Sequence, residues 1–447
     1  METPNKGDSR WGSLFKNDLQ GMLLPILLIT IIGSVNIFSA TYISSIYENT
    51  GLLGYFLKHM TFLLLSMAVG VILYRYDYRQ LQKPHMLQRI MIVTLIGMIL
   101  VLVIGAVING ARRWIVIGPV SIQPSEFAKL AALIWTSAKL STMRKWGKPR
   151  HINPLINLQG YFSERISYML PMLIWPTIFA ILTILQPDMG TTVLIFGFSF
   201  VLIYLAGFDG KFFGGAFAIA GFLGFIAARM SPYRWERIQS WFDPWPHAQD
   251  MGYQTVQGLL AVGSGGILGE GFMQGTSKYF YLPEAHTDFA FAVWAQEMGF
   301  IGAVFVVVLI AAFTYFGFRI SNKARDEFGK WLAMGITLLI SGQALFNIAM
   351  VCGIMPVTGV PLPFVSYGGS SLLMNFMSIG LLASIGRRNV EGVKPVGTAE
   401  PLPSLREETQ SRFKPAATTR TNKTNMPGPF KPQPSKKSTR RQTKFER

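Results

Sequence analysis

The sequence predicts an all-α polytopic membrane protein of about ten transmembrane helices, with a large extracytoplasmic loop between the seventh and eighth. Three observations predict it. The 447 residues are 50% hydrophobic and only 14% charged, against about 25% charge in soluble domains. Ten mostly apolar runs approach the ~20 residues that a spanning helix needs. Lys and Arg gather in alternate connections between those runs, as the positive-inside rule requires.

The runs are 21–42, 54–74, 90–108, 126–140, 167–185, 189–206, 212–230, 289–318, 331–353 and 365–385; the fourth is short and the eighth long. Lys6, Arg10 and Lys16 precede the first. Arg75, Arg79, Lys83 and Arg89 follow the second, Arg144, Lys145, Lys148 and Arg150 the fourth, and Arg319, Lys323, Arg325 and Lys330 the eighth. Those segments, the Asp209/Lys211 turn and the C-terminal tail are therefore expected in the cytoplasm, which makes the span count even. No small-residue cleavage site follows the first run, so it reads as a retained span.

Three regions result: a cytoplasmic N-terminal segment 1–20, a membrane domain 21–388 containing the extracytoplasmic loop 231–288, and a disordered basic cytoplasmic tail 389–447. Residues 387–447 hold 15 Lys/Arg against 5 Asp/Glu, so +10 of the net charge of +18 sits there. The basic character is thus a tail property, read either as a contact for anionic lipid or as a solvated tail serving mainly topology, and a nucleic-acid partner is disfavoured. The single Cys352 excludes disulfides within the chain and Cys-based metal sites. No G-x-x-x-x-G-K-[ST] loop is present, which argues against an ATP-driven pump.

Two outer connections break the charge bias: Asn109–Gln123, with Arg112 and Arg113, and Ser231–Asp288, with Arg234, Arg237 and Lys278. Charges placed against the topological preference need another reason to be there. Arg112 and Arg113 offer forked donors for phosphate oxygens, and Trp114 fits an interfacial belt. Glu126 and Lys129 stand at i and i+3 on one helix face, as an ordinary ion pair or as a pair placed for a purpose in a costly setting. Asp288 opens the eighth run at the membrane–water boundary, where partial desolvation raises a carboxylate's basicity; a helix N-cap is the competing reading. His286 reads as a structural hydrogen-bonding residue more readily than as a ligand in a weak His286/Asp288/Glu284 metal set. Glu297, deep in the same run, is functional or paired to another helix. The uncharged stretch Pro356–Ser371 has three prolines and three glycines at membrane depth. It reads as broken backbone lining a cavity or as a rigid turn.

The motifs NGARRWI, QPSEFAKLA, QPDMGTTVL, YRWERI, GYQTVQGLLAVGSGG, YLPEAHTDF and MPVTGVPLPFVSYGGSS stand in this order. Together they resemble the SEDS family, the membrane peptidoglycan glycosyltransferases typified by FtsW, RodA and SpoVE, over roughly residues 20–390. The resemblance implies ten helices with both termini cytoplasmic, in the bacterial inner membrane. It implies polymerisation of lipid II on the outer face with an undecaprenyl-diphosphate-linked strand as donor, and a class B penicillin-binding protein as partner. The family's essential aspartate corresponds to Asp288, and its Q-P-S-E-x-x-K acid and lysine to Glu126 and Lys129. Where many members carry two adjacent acids, this chain has Gln296-Glu297. The P-E-A-H-T-D form and Asp243-Pro244-Trp245 are closer to the division-type branch than to the elongation type.

The expected roles follow from the resemblance and the residues together. Asp288 is the general base on the attacking hydroxyl. Arg112, Arg113, Lys129 and Lys278 neutralise the diphosphate, alone or with a divalent cation (Mg²⁺ or Mn²⁺), and Glu126 holds Lys129. Trp114, His286, Thr287, Glu297 and Ser366 support the site. The competing classes are a lipid II flippase, a non-catalytic scaffold of the cell-wall synthesis complex, and another lipid-linked sugar polymerase or ligase. A flippase would need charged groups along a path through the bilayer.

Overall fold

The computed structural model describes residues 17–47, 51, 53–108, 110–118, 120–143, 157–230, 232–279 and 281–391. The expected segment before residue 17, the basic loop with Arg144, Lys145, Lys148 and Arg150, and the tail beyond residue 391 lie outside the described residues.

Helices stand at all ten expected positions: α1 (Asp18–Tyr47), α2 (Gly54–Arg75), α3 (Pro84–Ile104), α4 (Pro124–Met143), α5 (Leu158–Leu185), α6 (Met189–Leu205), α7 (Gly210–Arg229), α10 (Ala290–Asn322), α11 (Glu327–Val351) and α12 (Gly369–Glu391). Among the described residues, seven are long and apolar enough to cross a membrane: α1, α2, α3, α10, α11 and most of α5 and α12. The apolar α6 is shorter, at 17 residues. Apolar side chains on α2 and α3, among them Leu64, Ile72, Val93 and Val103, are exposed on the outside. A patch of that extent is tolerable against lipid and a liability in water.

Two connections hold more structure than the charge pattern predicts. The first is an antiparallel three-strand meander, β1 (Ala106–Ile108), β2 (Ala111–Ile117) and β3 (Val120–Ile122), in which Val107 faces Arg112 and Val116 faces Ser121. Its β-branched residues favour the pleated surface. The second holds two helices, α8 (Pro232–Phe242) and α9 (Tyr253–Ser264).

The core lies where α1, α4, α10, α11 and α12 meet, around Phe289, Phe313, Leu332, Ile336 and Leu382. Polar side chains close one end of the bundle. Asp18 pairs with Arg319 (2.9 Å) and Lys323 (2.7 Å), Asp77 with Arg388 (2.8 Å) and Asp326 with Arg79 (3.3 Å). The meander stands just before α4, and at the end of α10 opposite these pairs α9 packs against Phe289, next to Asp288.

Helices α2 and α12 cross at glycines. A Cβ at Gly380 would lie 2.3 Å from the Gly70 carbonyl oxygen, so any side chain forces the pair apart. Gly380→Val is expected to lower the thermal unfolding midpoint of the detergent-solubilised protein by several degrees, through overpacking of ~1–3 kcal/mol. Gly210→Ala, where only the edge of a Tyr204 ring is near, is expected to leave it unchanged.

Candidate functional site

Between α11 and α12 the chain from Cys352 to Gly368 forms no helix. Backbone of this kind at membrane depth must find hydrogen-bond partners within the protein, and here they are specific. On α11, Asn347 Nδ2 donates to the Val360 carbonyl (2.7 Å) and Gln343 Nε2 to the Pro361 carbonyl (2.9 Å). The Ser366 hydroxyl accepts from the Leu362 N–H (2.8 Å), so Ser366 serves the turn itself. The Tyr367 N–H donates to the His286 carbonyl (2.8 Å).

That last bond and a second one from Asn347 Nδ2 to the Asp288 carbonyl (2.7 Å) hold the 286–288 segment against the unwound stretch. Asp288 is 6% exposed. Its carboxylate bonds no N–H of the first turn of α10, whose N-cap is Phe289 without a side-chain cap; the N-cap reading of this residue is therefore not what the structure shows. Instead the Thr287 hydroxyl lies 3.0 Å from Asp288 Oδ1 and 2.6 Å from Glu284 Oε2. Burial, and secondarily the Glu284 charge, push the Asp288 carboxyl up to about 7, with Thr287 pulling partly the other way. A carboxyl that is half ionised near neutrality is matched to accepting a proton.

His286 belongs to a ring cluster rather than to a ligand set. Its ring lies 5.8 Å from Tyr55 and 5.7 Å from Tyr367, which itself lies 6.2 Å from His59. Among the described residues, no three His, Cys, Asp or Glu side chains converge to hold a metal ion. The side chains around Asp288 thus do not fit a divalent cation held by protein alone.

The second element is on α4, where Pro124 and Ser125 open the helix and Glu126 enters its first turn. Lys129 Nζ pairs with Glu126 Oε1 at 2.8 Å and donates to Gln343 Oε1 at 2.9 Å; the side chains of Lys129 and Glu126 are 1% and 3% exposed. Glu126 and Lys129 pair across i and i+3, and Gln343 is the bridge from that pair to α11. Gln343 and Asn347 stand one helical turn apart, ~6 Å along α11, so one helix face ties Lys129, the unwound stretch and Asp288 together. Neither residue is marked in the sequence, because an uncharged amide within an apolar run breaks no hydropathy or charge pattern. Glu126 Oε2 is buried without a hydrogen-bond partner.

The strand geometry separates the two arginines, since neighbours on a strand point to opposite faces. Arg112 is exposed and lies 3.4 Å from the Leu102 carbonyl. Arg113 donates to the carbonyls of Gln186 (3.2 Å) and Pro187, in the turn before α6. That turn ends in Asp188, which caps α6 through the Thr191 N–H (3.1 Å) and accepts from Gln123 Nε2 (3.3 Å). Trp114 is half-buried opposite Ala106.

Lys278 and Glu297 pair with each other at 2.7 Å, with side chains 1% and 2% exposed. The Ser39 hydroxyl donates to Glu297 Oε1 at 2.6 Å. Glu297 is thus paired, and Lys278 already has its counter-ion. Gln296 Oε1 accepts from the Ser277 N–H at 3.1 Å, while its Nε2 lies 3.0 Å from Ser264 Oγ and 3.2 Å from Glu270 Oε1. This position uses an amide's donor and acceptor faces together; a carboxylate here would face Glu270 with like charge.

Residues 20–391 match the family described as Cell cycle protein, FtsW/RodA/SpoVE. Stage V sporulation protein E of Bacillus subtilis is 34% identical over 372 residues, which cover 83% of this chain and 97% of that protein. A probable peptidoglycan glycosyltransferase FtsW of Hahella chejuensis is 32% identical over 374 residues, 83% of this chain and 90% of that one. A solved structure described as the structural coordination of polymerization and crosslinking by a peptidoglycan synthase complex aligns with a TM-score of 0.66 at 26% identity, covering 83% of this chain and 98% of that one.

Two outcomes are expected. Asp288 is a carboxyl raised from 3.8 to about 7, so the folded protein holds a proton between those values that the unfolded chain has lost. Stability therefore falls as pH rises through that window, by on the order of 4 kcal/mol, and is flat above it. Asp288→Asn removes the cost and should raise the unfolding midpoint under alkaline conditions but not under acidic ones, as followed by thermal scans across pH. Lys129→Met strands Glu126 without a counter-ion and should cost ~3–5 kcal/mol; the same scans should show Lys129→Met with Glu126→Gln recovering most of it.

Proposed function

Because this chain belongs to the FtsW/RodA/SpoVE family of cell cycle proteins, we propose that it acts as a lipid II polymerase of peptidoglycan synthesis with Asp288 as its general base. It is a multi-pass membrane protein and a peptidoglycan glycosyltransferase, the activity for which its FtsW relatives are named. The observation that carries the finer reading is the buried, uncapped Asp288 carboxyl, raised to about 7 beside the unwound stretch.

In this reading a glycan strand linked to undecaprenyl diphosphate is the donor and the 4-hydroxyl of a lipid II sugar the nucleophile. The oxygen attacks the anomeric carbon, the bond from that carbon to the diphosphate oxygen breaks with inversion, and the hydroxyl proton passes to Asp288. Undecaprenyl diphosphate leaves with its bonding pair, so it needs positive charge more than a proton. Lys129, kept in place by Glu126 and Gln343, is the buried cation on the connected face, with Arg113 and the exposed Arg112 on the meander. A divalent cation would need the diphosphate for its remaining ligands.

An apolar groove of about 640 Å³ runs between α2, α3, α4 and α12, past Val93, Gly97, Phe127 and Met377, and reaches Pro124 next to Glu126. It suits a polyprenyl tail whose head group lies toward α4. The charge asymmetry of the sequence and the ion pairs that close one end of the bundle support a cytoplasmic placement of that end. The Asp288 end and the 231–288 connection then face the outer leaflet, and the ten-span domain 21–388 precedes a basic cytoplasmic tail. The peptidoglycan synthase complex among the structural relatives supports a class B penicillin-binding protein as partner.

The test is polymerisation of lipid II by the purified full chain, with and without a class B partner. Asp288→Asn should lose ~10²- to 10⁴-fold in kcat while remaining folded. Turnover near the parent rate would refute the base assignment, and lipid movement across vesicles without polymer would point to a flippase instead. Gly97→Trp, which fills the groove, should raise KM for the lipid-linked substrate more than it lowers kcat.

A further inference from the structure

Helix α10 is broken at Gly299 (φ 66°, ψ −169°), nine residues after its first residue, Ala290. A break in a membrane helix frees backbone groups on both sides, and the glycine-rich stretch after α9 takes them up. The Gly266 carbonyl accepts from the Phe300 N–H (2.9 Å) and the Ile267 carbonyl from the Ile301 N–H (3.3 Å), while the N–H groups of Glu270 and Gly271 donate to the carbonyls of Gln296 (3.0 Å) and Glu297 (3.1 Å). The fit admits no side chain: Gly269, at φ 87°, would place a Cβ 2.1 Å from the Glu297 carbonyl oxygen. The result is a short half-helix, 290–298, with Asp288 just before its start and Glu297 near its end.

Helix α1 braces that half-helix at both ends. Asn36 Nδ2 donates to the Ala290 carbonyl (2.8 Å), and three residues later Ser39 meets Glu297 (2.6 Å) and Lys278 Nζ (3.0 Å). Lys278 brings the outer connection into the same junction. Asp288 and Glu297 are separated by ~13 Å along a helix axis, so Lys278 is remote from the carboxylate that the proposed reaction uses.

We propose that Lys278, Glu297 and Ser39 form a buried latch that sets the position and depth of the half-helix bearing Asp288, which makes Lys278 a positioning residue and not a ligand for the diphosphate. This rests on the reading of Asp288 as the base, and deepens it. Removing the latch leaves the backbone bonds at the break in place but unties the end of the half-helix from Ser39 of α1 and from Lys278, which lets the half-helix move toward water, eases ionisation of Asp288 and misplaces it for catalysis. The groups around Asp288 permit that reading to be isolated. Glu284 and His286 lie on its own segment, Tyr367 and His59 in the adjoining ring cluster, Asn347 of α11 is neutral, and the stretch 356–366 carries no charge.

The test uses the full chain in lipid nanodiscs. Lys278→Met alone leaves a buried carboxylate without a counter-ion and can fail to fold, so the informative variant is Lys278→Met with Glu297→Met, which removes both charges and keeps volume. Two quantities are read: the titration midpoint of the Asp288 carboxyl, as the infrared band abolished by Asp288→Asn, and kcat against KM for lipid II. The expected result is a midpoint lowered by at least half a pH unit, kcat lowered about tenfold and KM unchanged, with Lys278→Arg keeping the parent midpoint. An unmoved midpoint with parent kcat overturns the latch. So does a KM raised about tenfold at parent kcat, which would return Lys278 to the diphosphate. Full turnover by Asp288→Asn defeats the base reading instead, and the band still reports whether the latch sets its depth.

Discussion

A backbone that leaves the helix inside a membrane has to be hydrogen-bonded by the protein around it, and the rest of this site depends on how the chain meets that demand between α11 and α12. The partners come from amides on one face of α11 and from the segment before α10. Once Asn347 has bonded Val360 and Asp288, and Gln343 has bonded Pro361 and Lys129, four elements distant in sequence are fixed to one another. The segment that carries Asp288 and the helix that carries Lys129 are tied to one face of α11 as by-products of satisfying carbonyls.

The same constraint acts a second time at Gly299. There the carbonyls and N–H groups released by the broken helix are taken up by the backbone of Gly266, Ile267, Glu270 and Gly271 in the outer connection, and charged side chains close the junction. Buried pairs such as Lys278–Glu297 and Lys129–Glu126 contribute little net stability compared with apolar packing, yet losing one partner is costly. Their value lies in specifying one arrangement: Lys278–Glu297 is satisfied only when the outer connection is in register with α10, and Lys129, paired within α4, bonds Gln343 only when α4 is in register with α11. That a carboxyl stays uncapped and raised in such a setting is a stability cost tolerated at a functional position.

Much of the fold was legible in the sequence because apolar runs and the basic segments between them follow directly from the bilayer. The unwinding around Pro356–Ser371 was legible from its prolines and glycines, and the Glu126/Lys129 pair from its spacing. The meander was not, since its strands of three, seven and three residues are too short to set a period-2 pattern apart from the apolar runs on either side. The partner of Lys278 was not legible either. Which helix a buried charge faces is set by packing between elements far apart in the chain, and no spacing within one run records it. Gly299 looked like an ordinary small residue in a long apolar run, and only the opposing glycines show it to be a break. Asp288 stood out by position, while its proton affinity depends on burial and on Glu284, which only the folded chain brings to bear.

The most direct measurement is the pH dependence of kcat for the purified chain at saturating lipid II. A base of the stated character gives a rate that rises with single-proton dependence and a midpoint near 7, and Asp288→Asn loses that limb. A rate that is flat through neutrality, or a limb that persists unchanged in Asp288→Asn, would contradict the assignment of Asp288 as the group that takes the proton.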